Sequence, residues 1–242
     1  MPRSSEIRPV LMSPLQAHKR RWENCRACPL HEGRKKVVLV RGKIPCDALF
    51  IGEGPGGNED SLGSPFVGPA GKLLDRIVED AMSGRPLETK CPDCGRGVFR
   101  SSSGAVCAGG HSGLLGESEV AIRLAFTNLV ACIPWDEDRR KVRAPERDEI
   151  EACSDRLNEL VQIARPRAIV TCGKVPTKYL VGQAKFGDPW WLPDGDDGLV
   201  RFVEIVHPAA ILQADKSQQG LMVQRATRII TDLLDELDPI PF

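Results

Sequence analysis

Short apolar runs alternate along this chain with longer segments whose apolar residues return every three or four positions. The runs are too short for helices and read as buried strands, whereas the periodic segments read as amphipathic helices. Ala48-Leu49-Phe50-Ile51 is the first run, Ala125 to Val130 the second, Arg167 to Gly173 the third and Val200 to Val206 the fourth. Helices are predicted from about Pro69 to Met82, from Pro145 to about Ala164, from Lys174 to Val181 and from Gln218 to Leu237. Pro69 and Pro145 suit first-turn positions, where a missing amide costs no helical hydrogen bond. Strands alternating with helices predict an α/β fold built on a parallel sheet.

Three stretches break the pattern. Residues 1 to 21 are weakly ordered or helical and end in His18-Lys19-Arg20-Arg21, a basic run that suits a solvated face or a phosphate contact equally well. From Ser83 to about Ser118 the chain is Gly/Ser-rich without a helical period, so residues 83–118 read as a small module inserted into a domain that otherwise spans 1–242. A loop from Gly182 to Gly198 carries Trp190-Trp191 among acidic residues and prolines.

Composition changes this picture little. The length of 242 residues fits one large α/β domain, alone or with a small appended module. Lys+Arg and Asp+Glu balance at 33 each, so no global positive field announces a nucleic-acid partner, and any such contact must use local patches. No apolar run approaches the roughly 18 residues of a membrane helix, and the N-terminus has charges and prolines where a signal peptide needs an apolar core. The expectation is a cytoplasmic monomer that engages no membrane.

The stretch from Asp47 to Asp75 carries the densest chemistry. Its first strand leads into a loop with glycines at positions 52, 54, 56, 57, 63 and 68, carboxylates at Glu53, Glu59 and Asp60, and an aromatic at Phe66. Such a loop lets backbone amides approach a ligand, and ligands of open α/β sheets bind at the carboxyl ends of strands. Gly52-Glu53-Gly54-Pro55-Gly56 does not run into a helix as a dinucleotide fingerprint does, and Pro55 removes an amide such a loop would use. A phosphate loop fails as well, because Leu73 follows Gly71-Lys72 where Ser or Thr is needed.

Nine cysteines are many for a reducing compartment, where clustered thiols bind metal more often than they pair. Cys91-x2-Cys94 followed by Cys107-x3-His111 has the spacing of a Cys₃His zinc site, which would let so apolar-poor a module fold. Cys25 and Cys28 form a C-x-x-C turn before the first strand, outside the βαβ context of a redox pair, and Cys132 and Cys153 stand further along the chain.

Gly52 to Leu74, Thr127-Asn128, the His207 to Leu212 stretch HPAAIL, and the thiols Cys25, Cys28, Cys132 and Cys153 together resemble the iron-sulfur (family 4) uracil-DNA glycosylases. The resemblance covers nearly everything except the insert and the extreme N-terminus. It implies a three-layer α/β/α sandwich on a four-stranded parallel sheet, and a monofunctional DNA-repair hydrolase that flips uracil out of single- or double-stranded DNA and leaves an abasic site. Phe66 would then stack on the base, and the Asn128 amide would read its edge, donating and accepting in a pattern that cytosine mismatches. His207 would donate a hydrogen bond to the pyrimidine oxygen that gains charge, while amides of Gly54 and Gly56 hold base or phosphate. Glu53 and Glu59 are both plausible carboxylates for water or the cationic sugar, and the sequence does not rank them.

The same resemblance assigns a [4Fe-4S] cluster to Cys25, Cys28, Cys132 and Cys153, with zinc on those thiols as the alternative metal. Such a cluster would pin the N-terminal segment to loop 133–152 and present Arg139, Arg140, Lys141 and Arg143 to DNA phosphates. The chain also departs from the family. Ala131, Ile133, Trp135 and Gln213 stand where more basic or proline-rich residues are common, which predicts weaker DNA binding unless the insert compensates. No histidine-bearing basic insert lies between Cys132 and Cys153, so turnover is expected and not covalent crosslinking. Three other functions stay open at this point: a glycosylase-like nucleic-acid-binding protein that lost catalysis, a glycosylase for another deaminated base, and a cluster-bearing redox sensor. The last leaves the Gly-rich loop unexplained.

Overall fold

Each strand run described above sends alternate side chains to opposite sides of one sheet, and both sides are apolar. In the computed structural model, which describes residues 12–83, 86–90, 97–101, 104–107, 122–138, 140–183 and 200–237, these strands are β2 (Ala48–Gly52), β6 (Leu124–Asn128), β7 (Ala168–Cys172) and β8 (Arg201–Ile205). Ala48 and Phe50 face one core, and Leu49 and Ile51 face the other. A strand buried on both faces needs a continuous apolar run, which is why the sequence shows no alternation here.

Helices cover both faces, giving three layers. Helices α3 (Pro69–Met82), α6 (Pro208–Gln213) and α7 (Lys216–Leu237) close the first core with Leu74, Ile77, Ile211, Ile230 and Leu234. The second core is closed by α4 (Arg147–Ala164) and α5 (Lys174–Gln183), with Leu157, Leu160 and Leu180, and by the segment around Leu30 and Leu39. Helix α1 (Pro14–Trp22) starts at a Ser13 capping box with Gln16. His18 of that helix is fully buried, so the basic run is not wholly a solvated face.

The sheet order is β1-β6-β2-β7-β8. Strands β6, β2, β7 and β8 are parallel, as expected. The expectation of four strands is corrected by a fifth: β1 (Arg41–Gly42) joins the edge antiparallel to β6, with Arg41 opposite Phe126. Two residues give too short a pattern to read from sequence. Helix α2 (Gly57–Leu62) occupies part of the loop read as irregular, and β6 stops at Asn128, two residues earlier than the apolar run suggests.

The 83–118 insert contributes a separate antiparallel sheet of β3 (Pro86–Lys90), β4 (Gly97–Ser101) and β5 (Gly104–Cys107), in that order. Cys107 ends β5, whereas Cys91, Cys94 and His111 lie outside the described residues, as do Trp190 and Trp191. Among the described residues no helix is long and apolar enough to cross a membrane.

The crossovers determine where a ligand can sit. The chain leaves β2 through α3 on one face and leaves β6 through α4 on the other, although β2 and β6 are neighbours. Loops diverging from adjacent strand ends open a crevice at that rim.

Candidate active site

Register brings the first residues together. Gly52 pairs with Asn128 at the ends of β2 and β6, so the residues that follow both strands emerge side by side. A Cβ on Gly52 would lie 2.5 Å from Oδ1 of Asn128 and 2.7 Å from Cζ of Phe66, closer than any real side chain tolerates. Glycine is therefore required for the amide and the aromatic ring to meet over the strand end.

Phe66 is placed by the loop between α2 and α3. Its backbone is left-handed, at φ 55°, and its buried ring meets Phe126 edge to face at 6.0 Å. Phe126 stacks in turn on Phe50 at 4.9 Å. Arg41 of the edge strand lies 4.2 Å over Phe126, donates from Nε to the Pro65 carbonyl at 3.1 Å, and pairs with Asp75 at 2.7 Å. One guanidinium thus braces both the ring beneath Phe66 and the backbone beside it. Sequence reasoning missed Arg41; its position in a two-residue strand gave no signal.

Glu59 and Glu53 have different environments. Oε1 of Glu59 accepts hydrogen bonds from the Val67 amide at 3.0 Å and the Gly68 amide at 2.7 Å. Gly68 is the N-cap of α3, so Glu59 completes a helix start that lacks a side-chain cap of its own. Glu53 stands at the end of β2, and burial raises its pKa above the ordinary carboxylate range.

His207 precedes Pro208 and caps α6. The Ala209 amide donates to Nδ1 of His207 at 3.1 Å, so Nδ1 is unprotonated and the neutral ring carries its proton on Nε2. Burial lowers the His207 pKa, favouring the neutral ring. Gly173, which follows β7 at φ 96°, packs between His207 and Glu53: a Cβ there would lie 3.0 Å from Cβ of His207 and 3.4 Å from Oε1 of Glu53. The left-handed backbone and the lack of space both demand glycine.

All seven pocket residues expected from the sequence line one cavity of about 470 Å³: Glu53, Gly54, Gly56, Glu59, Phe66, Asn128 and His207. A pyrimidine base with its sugar fits within such a volume. Gln213 and Arg143 line it too. Arg143 is engaged by Glu149 through bonds of 2.9 and 2.6 Å, so its guanidinium fixes the 133–144 loop onto α4 and is not a free phosphate ligand. Amides of Arg140 and Lys141 donate to Asp136 within that loop, and Arg139 lies outside the described residues.

A second cavity lies on the α4 face of the sheet. Cys25, Cys28, Cys132 and Cys153 all line it, with Trp22, Arg34 and Arg156 among their neighbours. All four thiols are free. Burial pushes the Cys132 thiol up to about 11, opposed by Arg34, whose Nη1 donates to Cys132 Sγ at 3.2 Å. Among the described residues, no three His, Cys, Asp or Glu side chains are drawn together as a ready-made metal site.

A sheet covered by helices on both faces thus presents a carboxylate, an amide, an aromatic and a histidine to one cavity at its strand ends. Residues 40–230 match the model of the Uracil DNA glycosylase superfamily, and the chain belongs to that superfamily. It is 35% identical over 156 residues to the Type-4 uracil-DNA glycosylase of Saccharolobus solfataricus, covering 64% of this chain and 54% of the relative. Against the Type-4 uracil-DNA glycosylase of Sulfurisphaera tokodaii the identity is 32%, over 70% of this chain and 59% of the relative. The chain thus spans little more than half the length of these two archaeal relatives. With the protein of the same name from Thermotoga maritima it shares 28% identity over 80% of each chain.

Proposed function

We propose that this protein is a monofunctional uracil-DNA glycosylase of the type-4 kind, excising uracil from DNA by hydrolysis of the N-glycosidic bond. The observation that carries the reading is the convergence of Glu53, Phe66, Asn128 and His207 on one cavity, with His207 neutral and its free proton on Nε2. The relatives' names supply the substrate.

Chemistry follows from these positions. A flipped uracil stacks against Phe66, and the Asn128 amide pairs with its polar edge. As the bond to C1′ lengthens, its electron pair passes to the base, and charge builds on the pyrimidine oxygen. Nε2–H of His207 donates to that oxygen; a neutral donor stabilises the anion without transferring its proton. In its ionised form Glu53, whose pKa burial raises, stabilises the cationic sugar and orients a water that adds to C1′ and passes a proton to the Glu53 carboxylate. Glu59, with Oε1 committed to two amides, shapes the loop instead.

Cys25, Cys28, Cys132 and Cys153 would hold a [4Fe-4S] cluster. Two features fit: four thiols around one cavity, and the guanidiniums of Arg34 and Arg156 beside them. The cluster would contribute structure, tying the N-terminal segment to β6 and α4. Zinc on Cys91, Cys94, Cys107 and His111 of the insert is proposed from spacing alone. The reading also includes a monomer working in the cytoplasm, where such thiols stay reduced.

Incubation of anaerobically purified protein with single-stranded and duplex oligonucleotides containing one uracil, followed by alkali, should yield strand cleavage at the uracil. Intact strands after treatment with fully metallated protein would overturn the proposal.

A further inference from the structure

Arg156 is the largest fully buried side chain described, with 1% exposure, and it lies inside α4 on the wall of the four-cysteine cavity. A buried guanidinium needs both hydrogen-bond acceptors and a compensating negative charge. Acceptors are present on one side only. Nη1 donates to Thr127 Oγ1 at 3.0 Å, and Nη2 donates to the carbonyls of Asn128 at 2.6 Å and Leu129 at 2.7 Å. Nε is left with no partner.

No carboxylate among the described residues forms an ion pair with Arg156. Glu159, one turn further along α4, is engaged by Trp22 and Arg21 instead. What Arg156 does border is the cavity of Cys25, Cys28, Cys132 and Cys153. Four thiolates around a metal centre would supply the missing negative charge, and Nε–H is the donor left over for them.

The peptide units that Arg156 holds are those that build the pocket. Leu129, whose carbonyl it binds, donates its own amide to the Gly52 carbonyl at 2.9 Å, and Val130 donates to the Glu53 carbonyl at 3.2 Å. The Thr127 hydroxyl in turn donates to the Leu39 carbonyl at 2.6 Å. One cation therefore touches the metal cavity on one side and, on the other, the strand end carrying Asn128 and, through it, Glu53.

We infer that Arg156 is a positioning residue that couples the four-cysteine metal centre to the uracil-reading strand end, serving as counter-charge to the first and clamp for the second. The inference rests on the proposed reading of those thiols as a metal site. It predicts that metal loss disorders the pocket's Asn128 wall, although no cysteine touches the base.

The test compares wild type, Arg156→Gln and Arg156→Lys, all purified anaerobically as full chains. Iron and sulfide content, reduction potential, and kcat and KM on a uracil oligonucleotide are measured for each. Arg156→Gln removes the charge: its iron content should fall several-fold, or any cluster it keeps should have a more negative potential. Arg156→Lys keeps the charge but loses the forked clamp, so iron content should return to the wild-type level while kcat stays reduced about ten-fold and KM moves less. Wild-type iron content, potential and kcat in Arg156→Gln overturn the inference. If Arg156→Gln is insoluble, Arg156→Lys decides: an unchanged kcat rejects the clamp, and lost iron rejects the counter-charge. Wild type devoid of metal refutes the cofactor reading itself, a result distinguishable from metallated variants that behave like wild type.

Discussion

A Cβ at Gly52 would sit 2.5 Å from Oδ1 of Asn128, so the Asn128 amide occupies the space that any side chain at the end of β2 would need. Gly52→Ala should displace Asn128, Phe66 or both. Because misplacement by about an ångström can cost on the order of 100-fold in rate, kcat/KM for uracil excision should fall by about that factor. Thermal unfolding measured beside the kinetics should show a much smaller loss.

The pH profile should be set by Glu53 and not by His207. Burial raises the Glu53 pKa, so its ionised form is lost as pH falls through a value above the ordinary carboxylate range. Burial lowers the His207 pKa, so its ring takes up a proton only at a more acid pH than an ordinary imidazole. A plot of kcat/KM against pH should show an acid limb that disappears in Glu53→Gln, whose residual activity is low and flat. An unaltered limb in Glu53→Gln would assign it to another group.

Glu59→Ala should act through the loop. Removing Oε1 leaves the Val67 and Gly68 amides without their acceptor, at a cost of roughly 1.5–3 kcal/mol by the usual worth of hydrogen bonds to charged groups. Urea unfolding should register this loss. Excision should fall less than in Glu53→Gln, and the acid limb should remain; its disappearance would return Glu59 to the catalytic role.

Arg143→Ala tests the loop between Cys132 and Cys153. Burial opposes ionisation of Glu149, but hydrogen bonds from Arg143 and the Glu146 amide prevail and hold its pKa below the ordinary value. A depressed pKa gives stability that is present above the unfolded carboxylate pKa and lost as pH falls through the folded value. Arg143→Ala should therefore be less stable at neutral pH by about 1–3 kcal/mol and should lose less further stability on acidification. Equal acid sensitivity in both proteins would show that Arg143 does not set the Glu149 pKa.

The two thiol sets should separate under mutation. Cys132→Ala should lose the visible absorption of an iron-sulfur centre, whereas Cys94→Ala should keep it. Equal loss in both would show that the thiols are divided wrongly.

The parallel strands and the principal helices were legible in the sequence because each buries enough apolar surface to leave a pattern. β1 was not legible, because two residues make no pattern and Arg41 joins the sheet only through Phe126. Arg156 was hidden differently. A lone arginine in a helix reads as solvent-facing, yet it lies three residues after Cys153 and four before Leu160, on the apolar stripe of α4. His18, between Leu15 and Trp22 on α1, is buried for the same reason. A charged or polar residue on an apolar stripe was the available signal in both cases.

By itself the sequence determined the α/β class, the strand-loop-helix around Gly52 to Leu74 and the short list of residues that meet at one cavity, since these depend on local pattern and side-chain chemistry. Only the tertiary structure put Glu53 in a buried setting and Glu59 on the Val67 and Gly68 amides, set the Ala209 amide against Nδ1 of His207, and buried Arg156 between the four-cysteine cavity and the Asn128 carbonyl. Those features depend on burial and on hydrogen bonds between residues distant in the chain, and local spacing does not encode either.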